Sequence, residues 1–196
     1  MMFRVLVFLY TILFSTQSIA ETPVIVISPG KTIQSKSIVG SDVSVIEGQQ
    51  INESDFFIGD IIGYSVPGMS MFQAGGYGTV TGIQMRGLPG RYSTVYVDGV
   101  KMSDPSTPDN RYYGVNQIPS NTVERVEVLK GTNSSLYGSG AISGAINIYT
   151  KKAKEEGIKQ SISLIGGMDT WYKPSRERNL NYSVLGKKDL HDFAIN

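Results

Sequence analysis

The sequence has no cysteine, one histidine and no apolar run of transmembrane-helix length, and its 18 Lys and Arg nearly balance its 17 Asp and Glu. Each shortage excludes something. Without cysteine there is no disulfide framework, so stability must come from packing or from an enclosing partner. A single histidine leaves no multi-histidine metal site. A formal net charge of +1 lacks the basic excess of a nucleic-acid-binding domain, so no nucleic-acid partner is expected. The densest basic cluster, Lys151-Lys152-Ala153-Lys154, runs straight into Glu155-Glu156 and reads as a solvated linker. Beyond the N-terminus, Gly, Asp, Asn or Lys interrupts every apolar run within a few residues, so any membrane crossing must use strands.

Glycine is abundant, at 22 residues, and helical periodicity is scarce, which favours a β-rich chain with many tight turns. The N-terminus has its own pattern: Arg4, an apolar stretch from Val5 to Phe14, and a polar stretch closing on Ser18-Ile19-Ala20. The apolar stretch is about ten residues, half of what a spanning helix needs, so residues 1–20 are expected to be a secretory signal peptide cleaved after Ala20. The mature chain then opens on Glu21-Thr22-Pro23-Val24-Ile25-Val26-Ile27, a β-branched run whose proline confines it to an edge strand or a tail that pairs on demand.

Residues 29–42 read as a polar linker, and Val43, Val45 and Ile46 open the first folded strand. Asn52 to Ile62 is predicted to be a short helix capped by Ser54 or Asp55, with Ile58, Ile61 and Ile62 on one face and Gly63 with Pro67-Gly68 as the stop. Hairpins follow. Asp98-Gly99 between two β-branched runs predicts a two-residue type I′ turn, because that turn needs positive φ at both central positions. Ser103 to Tyr113 is a polar loop. Val123 to Lys130 alternates, with Val126 and Val128 on one face and Arg125 and Glu127 on the other, and Ala145 to Thr150 is a further strand. Beyond Lys154 the alternation lengthens: Ile158, Ile162 and Leu164, then Leu180, Tyr182 and Val184, each with polar residues between, and Phe193 and Ile195 begin a third segment. One apolar and one polar face over about ten residues is the pattern of a tilted transmembrane strand.

Several pieces, taken in order, resemble the plug of TonB-dependent outer-membrane receptors. They are Ser65-Val66-Pro67-Gly68-Met69, Ile83-Gln84-Met85-Arg86-Gly87, Val95-Tyr96-Val97-Asp98-Gly99-Val100, Ile118-Pro119, Val123-Glu124-Arg125-Val126-Glu127-Val128-Leu129-Lys130-Gly131, Leu136-Tyr137-Gly138 and Gly144-Ala145-Ile146-Asn147-Ile148-Tyr149-Thr150-Lys151. The resemblance implies an α+β plug domain, a mixed β-sheet with short helices, over 43–152. The first strands of an antiparallel transmembrane β-barrel would follow over 157–196. A closed barrel needs at least about eight strands, so the chain is expected to be part of a longer protein in the outer membrane.

In that family the plug sits within a barrel of about 22 strands. The family likeness implies that residues 21–28 are the TonB box, with Glu21, Thr22, Pro23, Val24, Ile25, Val26 and Ile27 pairing with periplasmic TonB by strand addition. Pro23 departs from the apolar residue usual there and removes one donor. Ligand contacts are expected from glycine- and tyrosine-rich loops facing outward: Phe72, Gln73, Tyr77, Arg91, Tyr92, Tyr112 and Tyr113 as a set. Arg86, Glu124, Arg125, Glu127 and Lys130 form the charged skeleton and the expected plug-barrel ionic contacts, and the resemblance implies that the arginines among them bridge to carboxylates of the barrel wall; many relatives carry Arg where this chain has Lys130, which keeps the charge but loses the bidentate fork.

No catalytic constellation emerges. Gly138-Ser139-Gly140 with Gly144 has the wrong third spacing for a dinucleotide loop and precedes a strand, not the helix N-terminus that must receive a phosphate. His191 has no neighbouring nucleophile and orienting partner. Asp104 to Asn110 lacks the spacing of a calcium loop. The expected protein is therefore not an enzyme and carries no cofactor. The resemblance implies a receptor that binds a small metal-chelate (iron-siderophore, haem or cobalamin), contacts lipid through its barrel and gates import. The alternative is a free-standing exported plug-like binding module.

Overall fold

The computed structural model describes residues 25–27, 30–52, 57–75, 79–107, 114–169, 175–188 and 191–195. The predicted signal peptide, Glu21 to Val24, the Ser54 and Asp55 caps, Tyr77, Tyr112 and Tyr113 lie outside the described residues.

Five strands make the central sheet: β3 (Asp42–Glu47), β6 (Ser93–Val97), β7 (Val100–Met102), β8 (Val123–Lys130) and β9 (Gly144–Thr150), in the spatial order β3-β8-β9-β6-β7. Only the β6 and β9 pair is parallel, so the sheet is mixed. A separate hairpin of β4 (Met69–Gln73) and β5 (Thr81–Met85) packs with helix α2 (Ile58–Ser65) over one face. Alternation explains the two layers. Ile46, Val95, Val126, Val128, Ile146 and Ile148 point to that face and are buried with Ile58, Ile61, Ile62, Ile83 and Met85. Val43, Leu129 and Ala145 point the other way, where they meet Val26, Tyr137 and Ala141. The second layer is built from the N-terminal pair β1 (Ile25–Val26) and β2 (Gln34–Ser35) and the short helix α3 (Ser134–Tyr137). Residues 29–42, read as a linker, thus contain a strand, and a 3-10 turn at Lys36–Ile38 follows it.

The predicted turn at Asp98-Gly99 is present, with φ of 47° and 84° and Val97 paired to Val100. The helix differs from expectation. A short α1 (Gln49–Asn52) stands apart from α2, and α2 runs past Gly63 to Ser65. Gly63 is not a stop. It lets the helix approach β4, where an added Cβ would lie 3.2 Å from Met71. Pro67 is the stop: it forces Val66 out of the helical region, to φ −105° and ψ 112°.

Beyond the sheet, β10 (Gly157–Asp169), β11 (Ser175–Lys188) and β12 (His191–Ile195) form an antiparallel sheet of their own. The first two strands have 13 and 14 residues, longer than the alternation alone suggested. At about 3.3 Å per residue and a tilt near 45°, such a strand rises about 30 Å, the thickness of a hydrocarbon layer. The register puts Ile162 opposite Tyr182 and Leu164 opposite Leu180, so the apolar residues share one face, where they are 47 to 79 % exposed. On the other face Ser161 is hydrogen-bonded to Ser183 at 2.6 Å.

Candidate functional site

Three glycine-containing motifs separated in sequence meet at one end of the central sheet. Arg86 and Gly87 occupy the centre of a tight turn in which Met85 and Leu88 exchange both backbone hydrogen bonds, with φ of 54° and 77°. This explains the Arg-Gly pairing, since glycine takes one left-handed position at no steric cost. The Arg86 N–H donates to the Gly68 carbonyl at 2.7 Å. The Arg86 guanidinium then reaches Asp42 at 2.7 Å, and Lys130 reaches the same carboxylate at 3.2 Å. Gly131, at φ 112°, sits beside the Arg86 head, which an added Cβ would meet at an ordinary contact distance of 3.5 Å. Burial pushes the Asp42 carboxyl upward, but hydrogen bonds from Lys130 and Arg86 and their positive charges outweigh it and hold the group below its ordinary value. Asp42 was missed by the sequence reading, because one Asp ahead of a strand carries no local signature.

The other three charged residues also have partners among the described residues. Glu124 pairs with Lys154 at 2.6 Å, which ties β8 to the connector leading into β10. Arg125 lies 3.1 Å from Glu127, although its Nε–H is not aimed at the carboxylate, and its guanidinium stacks over the Tyr149 ring at 4.9 Å. Glu127 has no solvent exposure and accepts the Ile27 N–H on both oxygens, at 3.1 and 3.0 Å. Beside it a cavity of about 410 Å³ is lined by Ile27, Lys31, Tyr96, Tyr137, Asn147 and Tyr149, among others. The Asn147 amide nitrogen is buried there without a hydrogen-bond partner among the described residues. Tyr96 donates its hydroxyl to the Tyr137 carbonyl at 2.9 Å, and burial pushes its phenol above the ordinary value.

The expected ligand-contacting residues fall into separate places. Phe72 is 57 % exposed, and its ring occupies the space beside Gly82 that a Cβ there would need. Gln73, next to it, approaches Asp60 at 3.4 Å. Arg91 stacks on Tyr92 at 4.9 Å in a 3-10 turn beyond the opposite end of the same hairpin, and the Tyr92 carbonyl accepts both the N–H and the hydroxyl of Ser143. Phe72 with Gln73 and Arg91 with Tyr92 are thus two patches, not one surface. Of the predicted TonB-contacting run, Ile25 and Val26 form β1, with Val26 fully buried.

Comparison with known proteins decides what this architecture is. A family model described as the TonB-dependent receptor plug domain matches residues 35–145. The chain belongs to that family. It is 31 % identical over 154 residues to a vitamin B12 transporter of Vibrio vulnificus, covering 78 % of this chain and 24 % of the relative. It is 38 % identical over 96 residues to the iron-regulated outer membrane virulence protein of Vibrio cholerae, covering 47 % of this chain and 14 % of that protein. Among solved structures, the siderophore receptor PirA from Pseudomonas aeruginosa superposes with a TM-score of 0.58 at 26 % identity, over 78 % of this chain and 27 % of that one. A ferric enterobactin receptor from the same organism gives 0.60 at 23 % identity, covering 78 % and 23 % of the two chains, a likeness of fold alone. The chain spans 17 to 24 % of the length of the curated vitamin B12 transporters it matches. The fold is thus an α+β plug followed by the first strands of an antiparallel barrel, and the family is one of receptors and transporters, not enzymes.

Proposed function

We propose that this plug belongs to an outer-membrane receptor that captures a scarce chelate, an iron-siderophore, haem or a cobalamin, and gates its import. The observation that carries the reading is the plug sheet with the N-terminal segment laid beneath it, directly ahead of an amphipathic strand set. Residues 21–27 act as the TonB-contacting segment, by strand addition. Relatives named for vitamin B12 transport, for iron regulation and as siderophore receptors support a small chelate as cargo. Phe72 with Gln73 and Arg91 with Tyr92 supply two ligand-facing patches, Tyr77, Tyr112 and Tyr113 belong to the same ligand-contacting set, and the exposed members of the charged skeleton, Arg86 and Glu124, add contacts to the barrel wall. A free-standing module is disfavoured, because Ile158, Ile162, Leu164 and Leu180 would then present a broad apolar face to water.

The test is deletion of residues 21–27 from the receptor expressed from its complete gene. Uptake of radiolabelled ferric siderophore, haem or cobalamin by whole cells should fall to background while surface binding of the cargo is retained. Uptake at the parental rate would refute the reading.

A further inference from the structure

A carboxylate without solvent exposure requires partners held in place, because an unpaired buried charge is costly. Glu127 lies in the middle of β8, between Val45 of β3 and Asn147 of β9, on the sheet face turned toward the N-terminal segment. Arg125, two residues along the strand, is on the same face. The Ile27 N–H, a hundred residues away in sequence, reaches both carboxylate oxygens. The β8 ladder is already complete between β3 and β9, so the sheet itself does not need that contact.

The rest of the lodging is slight. β1 and β2 are two residues each, and the cavity of about 410 Å³ opens beside Ile27. Among the described residues, the segment is held by the fully buried Val26 side chain, by a minimal ladder and by the charge-assisted contact of the Ile27 N–H. Apolar burial is not directional, whereas the carboxylate fixes one N–H at one position.

We propose that Glu127 is the latch that keeps the N-terminal segment docked beneath the plug, competing with an incoming partner strand for the Ile27 N–H. The idea rests on the reading of residues 21–27 as the TonB-contacting segment. Strand addition draws its affinity from main-chain N–H and C=O groups, and a segment whose last donor is held by a buried carboxylate cannot offer it. Glu127 is a positioning residue in this scheme: it controls when the segment is available and touches no cargo.

The experiment uses the receptor expressed from its complete gene, in outer-membrane vesicles without TonB, with Val26→Cys as a labelling site. Cysteine is a small apolar substitute for the buried valine, and this chain has no other. Labelling by a water-soluble maleimide should be slow in the parent and on the order of 10- to 100-fold faster after Glu127→Gln, the population shift expected from weakening a hydrogen bond to a charged group. An unchanged rate overturns the latch. If Glu127→Gln receptor does not assemble, Ile27→Pro removes the donor and leaves the carboxylate intact; it should accelerate labelling equally, and an unchanged rate there is equally fatal. Capture by the purified periplasmic domain of TonB separates the two ideas. Faster labelling with more cargo-free capture supports both, whereas faster labelling with unaltered capture keeps the latch and overturns the assignment of the segment to TonB.

Discussion

Gly144→Ala should be the most damaging single methyl group that can be added to the plug sheet. Gly144 opens β9 opposite Lys130 at φ 153°, and a Cβ there would lie 2.0 Å from the Leu129 carbonyl oxygen and 2.4 Å from the Met85 sulfur. Methionine can turn aside, but a ladder carbonyl cannot, so the β8 and β9 pair must part by more than an ångström at that point. Overpacking of this kind costs about 1–3 kcal/mol. The positive φ adds about 1–2 kcal/mol for any residue with a Cβ. A combined loss of roughly 2–5 kcal/mol is a large share of the 5–15 kcal/mol that holds a typical domain together. Gly87→Ala is the control: φ is 77° but nothing lies within 4 Å of the added atom, so only the backbone term of about 1–2 kcal/mol remains. The assay is amide hydrogen exchange of β8 and β9 in the assembled receptor, which reports the local opening free energy. If Gly144→Ala protects those amides as well as Gly87→Ala does, the steric argument at this corner is wrong.

Gly82→Ala should displace the Phe72 ring, because the added methyl occupies its place, and should weaken cargo binding several-fold with hydrogen exchange in β8 and β9 unchanged; a titration of the cargo on cells decides it. Asp42→Asn should loosen the turn that carries Arg86, by about 1 kcal/mol or less for the exposed arm of the cluster, measured as faster exchange of the Arg86 N–H. Since the Asp42 pKa is depressed in the fold, its contribution is present above the ordinary carboxylate value and is lost as pH falls through the lower folded value; that acid-side loss should vanish in Asp42→Asn. Asp98→Ala removes an acceptor bonded to the Thr150 N–H at 3.0 Å and places a Cβ residue less suited to positive φ, at a cost of about 1–3 kcal/mol, read as lost protection at Thr150.

How much of this was legible in the sequence depended on how local the cause was. Asp98-Gly99 could be read directly, since the turn chemistry resides in those two residues. Val126 and Val128 were legible because period-two alternation needs no partner to be recognised. Gly63 was misread because its reason is the approach of Met71 from another element. The charged residues were recognised as a skeleton, but their partners were not: Arg86 finds Asp42 across 44 positions and Glu127 finds Ile27 across a hundred. The tyrosine- and glycine-rich loops suggested a surface, whereas strand direction places Phe72 and Tyr92 toward opposite ends of one hairpin, which composition cannot show.

The strand order β3-β8-β9-β6-β7 also defines a load path. A pull on the N-terminal segment arrives first at β1 and β2, two residues each, and then at β3, an edge strand that among the described residues is paired on one side only. The opposite anchor is β9, which is paired on both sides and continues through residues 151–156 into β10. The described sheet therefore has a weakly held end at β1 to β3 and a strongly held end at β9. Under tension it should yield as a ripcord does, shedding β1, β2 and β3 in turn while β8, β9 and β6 stay together.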